Sequence, residues 1–153
     1  MFIETFKYED FDENPREETC CFHMSESDLT DLNIRNGGLP AYLQRIIEVQ
    51  DNQALADLFK GLIIRSYGVK SLDGRKFDKS AEVVAEFMQT PMYDQLYMHM
   101  LSDTDYALKF IVGILPKSWQ KTINEENLAA KAKAQMEEKK AALLANKNNE
   151  TNS

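Results

Sequence analysis

Residues 62–80 read LIIRSYGVKSLDGRKFDKS, and the punctuation of this stretch organises the rest of the chain. Leu62 and Ile63 close an apolar stripe that begins at Leu55, Leu58 and Phe59, the i, i+3, i+4 spacing of an amphipathic helix. Tyr67–Gly68 stops that helix, with Gly68 expected as a left-handed cap. Asp73–Gly74 is a strong short hairpin signal, because the glycine accepts positive φ. Phe77 is expected to plug into the core, and Ser80 to cap the next helix. The stretch reads as a hinge between two helical halves and carries no chemical motif.

Downstream, Val83, Val84, Phe87 and Met88 continue the helical spacing. Thr90–Pro91 sets a capping residue before a proline suited to the first helical position. Leu96, Tyr97, Met100 and Leu101 follow, and Ser102 with Asp105 reads as a capping box. Ala107, Phe110, Ile111, Ile114 and Leu115 form a last stripe, stopped by Pro116.

Upstream, Ser25 with Asp28 opens a short helix carrying Leu29 and Leu32, ended by Gly37–Gly38. Tyr42, Leu43, Ile46 and Ile47 mark another helix, and Asp51–Asn52 offers a cap after it. Phe2–Phe11 and Glu18–Met24 are rich in strand formers. They flank DENPR, where Asn14–Pro15 marks a turn. A two-stranded antiparallel hairpin is the reading, and it needs helices to pack on. The fold class is mainly α with a small N-terminal β-hairpin (α+β), a compact helical bundle plus an extended C-terminal helix. Residues 1–119 form the domain. Residues 120–153 form a helical tail that ends in disorder at NKNNETNS.

The net charge of −7 is unevenly placed. Residues 1–31 hold ten acids and two bases, whereas 32–123 are near balance with eleven bases and ten acids. Nucleic acid is not an expected partner, because phosphate neutralisation needs clustered Lys and Arg. The acidic segment reads as a solvated edge or as a contact for a basic partner. No apolar run approaches the roughly 20 residues of a membrane span, and MFIETFKYED is not a secretory leader. Cytoplasmic residence follows as an expectation, with Cys20 and Cys21 as reduced thiols on opposite strand faces.

Cys20, Cys21, His23 and His99 match the ligand count of a zinc site but not its spacing, so no metal or cofactor is expected. Cys21 and His23 share a strand face, yet that spacing is ordinary for a half-buried strand. Asp103 and Asp105 are explained as helix-start carboxylates rather than an acid–base pair. No catalytic residue is assigned. Seven methionines, four of them at Met88, Met92, Met98 and Met100, either fill core gaps or form an adaptable binding surface. The tail stripe of Leu128, Ala132, Met136, Leu143 and Leu144 is too thin to hold a helix unaided. It reads either as a helix-prone charged extension without a role or as a helix laid in a partner's groove.

The ordered series Gly37–Gly38, Leu43-Gln-Arg-Ile-Ile-Glu-Val-Gln-Asp51, Leu58-Phe-Lys60, Ser66-Tyr-Gly68, Asp73–Gly74 and Lys79–Ser80 resembles the tail assembly chaperones of long-tailed bacteriophages. The likeness continues through Phe87, Thr90, Tyr93, Leu96, Ser102-Asp-Thr-Asp105, Phe110 and Gly113-Ile-Leu-Pro116. It covers about residues 5–117. Pro91 departs from the family's more helix-friendly residue there. The resemblance implies a non-enzymatic protein of the host cytoplasm, absent from the finished virion. It implies binding to the tape measure protein, recruitment of tail-tube subunits, a tendency to self-association and, often, a longer frameshifted form. Partner contacts are expected at Met88, Met92 and Met100 and at Leu128, Met136, Leu143 and Leu144. The alternatives are a small acidic inhibitor or decoy of a basic host protein, or a minor virion component.

Overall fold

The computed structural model describes residues 1–31 and 52–126 and, further on, residues 134, 136–138, 140–142 and 144. An antiparallel sheet of four strands is packed on one face by helices. The strands are β1 (Phe2–Glu9), β2 (Pro15–Phe22), β3 (Tyr67–Lys70) and β4 (Phe77–Asp78), in the order β1-β2-β3-β4. The helices are α1 (Glu26–Asp31), α2 (Asn52–Ser66), α3 (Ala81–Met88), α4 (Pro91–Ser102), α5 (Thr104–Ile114) and α6 (Lys117–Glu126). The α+β class holds, with a larger sheet than a lone hairpin. The helix expected around Tyr42–Ile47, the Gly37–Gly38 end expected for the Ser25 helix and most of the C-terminal helix lie outside the described residues.

The alternation of β1 and β2 sorts their side chains between two faces. Phe2, Phe6, Cys20 and Phe22 are buried against the helices, while Ile3, Thr5, Lys7, Glu17 and Thr19 point outward. Phe22 is fully buried and lies within 5.3–6.3 Å, centroid to centroid, of Phe2, Tyr67, Phe87 and Phe110. Its ring therefore touches β1, β3, α3 and α5. Phe59, Ile63, Leu96, Met100 and Ile111 complete the core from the helical side.

Two segment ends differ from expectation. Gly68 is not a left-handed cap; it is a buried residue of β3 paired with Cys21. Helix α2 needs no such cap, because the Ser66 hydroxyl donates to the Leu62 carbonyl at 2.6 Å and the Ser66 carbonyl accepts from the His23 amide at 2.8 Å. A β-carbon at Gly68 would lie 2.5 Å from the Phe77 ring and 2.9 Å from Lys79 Cγ. Gly68 is thus small so that Phe77 can lie over it. Phe77 is half-buried on the outer face, edge-on to His23, rather than a core plug. The Asp73–Gly74 turn forms as expected, with Gly74 at φ 75°. It closes strands β3 and β4, so the hinge is itself part of the sheet.

Helix starts follow local polar chemistry. Ser25 and Asp28 form a reciprocal box: the Ser25 amide donates to Asp28 at 2.8 Å, and the Asp28 amide to Ser25 Oγ at 3.2 Å. Ser80 caps α3. At α5 the cap is Asp103 rather than Ser102, its Oδ1 accepting from the Tyr106 amide at 3.2 Å. Pro91 opens α4, and α5 ends just before Pro116.

Lys79 ties the layers together. Its ammonium pairs with Asp28 and donates to the carbonyls of His23 at 3.4 Å and Arg65 at 3.2 Å. One cation thereby joins α1, the end of α2 and the exit of β2. Partial burial pushes the Asp28 carboxyl up, but the Lys79 and Ser25 hydrogen bonds outweigh it and hold Asp28 below the usual carboxylate range.

Gly68→Ala should cost roughly 1–3 kcal/mol, as overpacking does. The same change in a Phe77→Ala background should cost less, by about 0.5 kcal/mol or more, because the obstructing ring is gone. Urea unfolding of the four chains measures this cycle. Asp28 is lowered in the folded chain, so its stabilisation is complete above the unfolded value of about 3.9 and is lost as pH falls through the folded value. Asp28→Asn should therefore cost about 1–2 kcal/mol at neutral pH, with a gap to the wild type that shrinks by pH 3. Denaturant midpoints at the two pH values read the difference.

Candidate partner-binding surfaces

The described methionines divide by helical phase. Met92 and Met100 point into the core, where the Cys20 thiol lies 3.7 Å from Met92 Sδ. Met88 is half-buried at the end of α3. Met98, on the opposite side of α4, is 58% exposed. Of the expected contacts Met88, Met92 and Met100, the last two thus serve the chain's own packing and Met88 is half-buried, while the exposed Met98 lies outside that expectation. Met136 also joins the core cluster, and Lys140 Nζ donates to Thr104 Oγ1 at 2.5 Å. The tail touches the domain at these points. Leu144 faces outward, 63% exposed. Leu128 and Leu143 lie outside the described residues.

Groups with possible chemistry are occupied structurally. Burial pushes the Cys20 thiol up to about 12, which leaves it a small apolar side chain. Cys21 and His23 do share the outer sheet face, by alternation. Burial, followed by the nearby N-terminus and Lys79, keeps the His23 imidazole below its usual value, and its Nδ1 is buried without a partner. His99 stacks on Tyr106 at 3.6 Å and sits 3.7 Å from the Asp103 cap. Among the described residues no three His, Cys, Asp or Glu side chains converge as a metal site.

Among the described residues, the two hairpin turns carry the most exposed large apolar side chains. Asp10 builds the first: its Oδ1 accepts from the amides of Asp12 and Asn14 at 2.9 Å each, and its Oδ2 from Arg16 Nε at 2.7 Å. The Asp10 amide donates to the Asn14 carbonyl, and Glu13 takes φ 64°. The Arg16 bond, followed by the Asn14 and Asp12 amides, holds the Asp10 carboxyl below its usual range. This frame leaves Phe11 84% exposed in the turn rather than at a strand end. A shallow depression beside it is lined by Lys7, Glu9, Arg16 and Glu17.

The second turn is built the same way. The Ser71 hydroxyl donates to Asp73 at 2.7 Å and accepts from the Lys76 amide at 3.0 Å, and Asp73 accepts from the Arg75 amide at 3.1 Å. Leu72 projects from it, fully exposed. Neither exposed side chain was assigned a role from sequence. The available signal was an aspartate at the start of each turn, the residue type that bonds its own backbone two residues on.

No enclosed, chemically equipped site emerges from these positions, and protein contact is what the exposed apolar side chains suit. A family model described as phage tail assembly chaperone matches residues 1–153. No curated protein and no solved structure matches the chain. A match over that span, on a fold of the expected α+β class, makes this chain a member of the phage tail assembly chaperone family.

Proposed function

We propose that the chain is a stoichiometric, non-enzymatic holding protein of phage tail assembly. It binds the tape measure protein, helps bring tail-tube subunits to it, works in the host cytoplasm and stays out of the mature virion. The observation that carries this reading is the family match along residues 1–153. The distribution of apolar side chains supports it. The core closes on Phe22, Phe59, Phe110 and Met100 without using Met98 or Leu144.

In this reading the segment 120–153 is the main contact, with Met98 and Met88 beside it. A weakly striped helix gains order when its apolar side is covered by a partner. A specific contact of ordinary size removes roughly 1,200–2,000 Å² from water. Residues 120–153 carry five acids and six bases, so their attraction to a partner is apolar rather than set by net charge.

Co-expression with the tape measure protein tests the reading. Leu143→Ser with Leu144→Ser removes two anchors while leaving Met136 in its core position. Two buried leucines contribute about 1.5–3 kcal/mol each, so soluble tape measure protein should fall at least tenfold in affinity-limited conditions, roughly the effect of 1.4 kcal/mol. Full partner solubility with this variant, and with residues 127–153 deleted, would remove the tail from the interface.

A further inference from the structure

The two edges of the sheet are unequal. One is β4, only 2 residues long. The other is β1, whose 8 residues pair with β2 in an unbroken register from Phe2 with Phe22 to Glu9 with Pro15. In an antiparallel ladder the peptide groups of successive residues turn alternately to one neighbour and the other. The His23 amide turns to Ser66 on the β3 side, so Phe22, Cys20, Glu18 and Arg16 turn to β1. Across the ladder they meet Phe2, Glu4, Phe6 and Tyr8. The peptide groups of Ile3, Thr5 and Lys7 therefore face away from the sheet. The Lys7 carbonyl agrees, accepting from Gln95 Nε2 of α4 at 3.1 Å. Among the described residues the edge peptide groups of Ile3 and Thr5 have no bond. Edge strands that stay single are commonly short, bulged or broken by proline. β1 is none of these, and Ile3 beside its edge is 58% exposed.

Helix α4 runs alongside this edge. Gln95 reaches Lys7, and one turn on His99 stacks on Tyr106 at 3.6 Å. Tyr106 in turn is edge-on to Phe2 at 6.0 Å and hydrogen-bonded to Glu4. A chain laid along β1 would have Ile3, Thr5 and Lys7 beside its outer side chains. Glu4 and the Tyr106–His99 stack would lie beside its inner ones.

Charge selects the occupant. Residues 3–18 hold seven acids and two bases. Both bases are answered within the hairpin, Lys7 by Glu17 at 4.0 Å and Arg16 by Asp10 at 2.7 Å. Helix α4 contains no Lys or Arg, and exposed Asp94 and Asp103 lie at its two ends. A second copy of this edge would set the same acidic surplus against itself, whereas a basic segment is attracted. We infer that β1 takes up a short extended segment of another protein by strand addition. The segment is basic at alternate positions on the Glu4 side and apolar on the Ile3 side. Its contact runs from Ile3 to Lys7, where Gln95 already holds the carbonyl. The tail segment takes no part in it.

The probe is a synthetic hexapeptide of alternating lysine and valine, added to the full chain in about 50 mM salt and followed by NMR. So small a contact should give Kd on the order of 0.1–1 mM. In the free chain the amides of Ile3, Thr5 and Lys7 should exchange quickly, and those of Glu4, Phe6 and Tyr8 slowly. Saturating peptide should slow the first three about fivefold or more. Alternating glutamate and valine should bind at least about tenfold more weakly, and Glu4→Lys should weaken the lysine peptide at least about fivefold by setting like charges together. The lysine peptide N-methylated at every backbone amide should not bind, a control that leaves the protein unaltered.

No binding at millimolar peptide overturns the inference. So does equal binding of the N-methylated or glutamate peptide, indifference to Glu4→Lys, or binding that leaves the Ile3 and Thr5 amides unprotected. Edge amides that gain protection with protein concentration alone would give the edge to a second copy, and overturn it too. Tail-protein binding is scored separately, by co-expression, so a failure of either idea leaves the other readable.

Discussion

The burial of Phe22, with the two backbone bonds that follow it, is the constraint on which the other elements depend. Its ring meets Phe2, Tyr67, Phe87 and Phe110. The next amide, His23, donates to Ser66 at the end of α2, and Met24 donates to Ile114 at the end of α5, at 2.7 Å. Three consecutive residues thus fasten the sheet to both of those helix ends. Lys79 reinforces the same point from the other side by binding the His23 and Arg65 carbonyls. A full burial of phenylalanine contributes about 1.5–3 kcal/mol, and here one ring is shared by four elements. Its position fixes the register of β2, because a slip of one residue would turn Phe22 and Cys20 to solvent.

With the core closed around this joint, what remains at the periphery can be read for interaction. The buried side of the molecule is apolar and aromatic, and the hairpin ends are charged, rigid and tipped with Phe11 and Leu72. The separation is physically consistent with an assembly protein: among the described residues the exposed apolar side chains include Phe11 and Leu72 at the hairpin turns and Met98 on α4. Membership of the phage tail assembly chaperone family gives those positions a setting among tail proteins.

Much of this was legible in the residue pattern, for identifiable reasons. The Ser25–Asp28 box, the Ser80 cap, the Pro91 start and the Pro116 stop depend on groups within four residues, and local chemistry decides them. The Asp73–Gly74 turn was legible on the same grounds. What the pattern misassigned depended on distant partners. Gly68 resembles a helix cap in sequence; it is a strand residue because Cys21 pairs with it and Phe77 covers it. Phe77 resembles a core residue, yet strand alternation turns it to the outer face. Met92, Met98 and Met100 were grouped by proximity in sequence, and the helical turn of α4 then sends them to opposite sides. Phe11 continued an aromatic run, and only the Asp10 turn shows that it stands free.

Native-state hydrogen exchange tests the central role of the Phe22–Met24 joint most directly. The amides of His23 and Met24 should exchange only through global unfolding, as slowly as those of Ile63 and Phe110 in the helical core. The amides of the Asp10–Asn14 turn should exchange through smaller openings. Exchange at His23 and Met24 as fast as at that turn, while the helical core stays protected, would show that the sheet is not fastened at this point and would contradict the account.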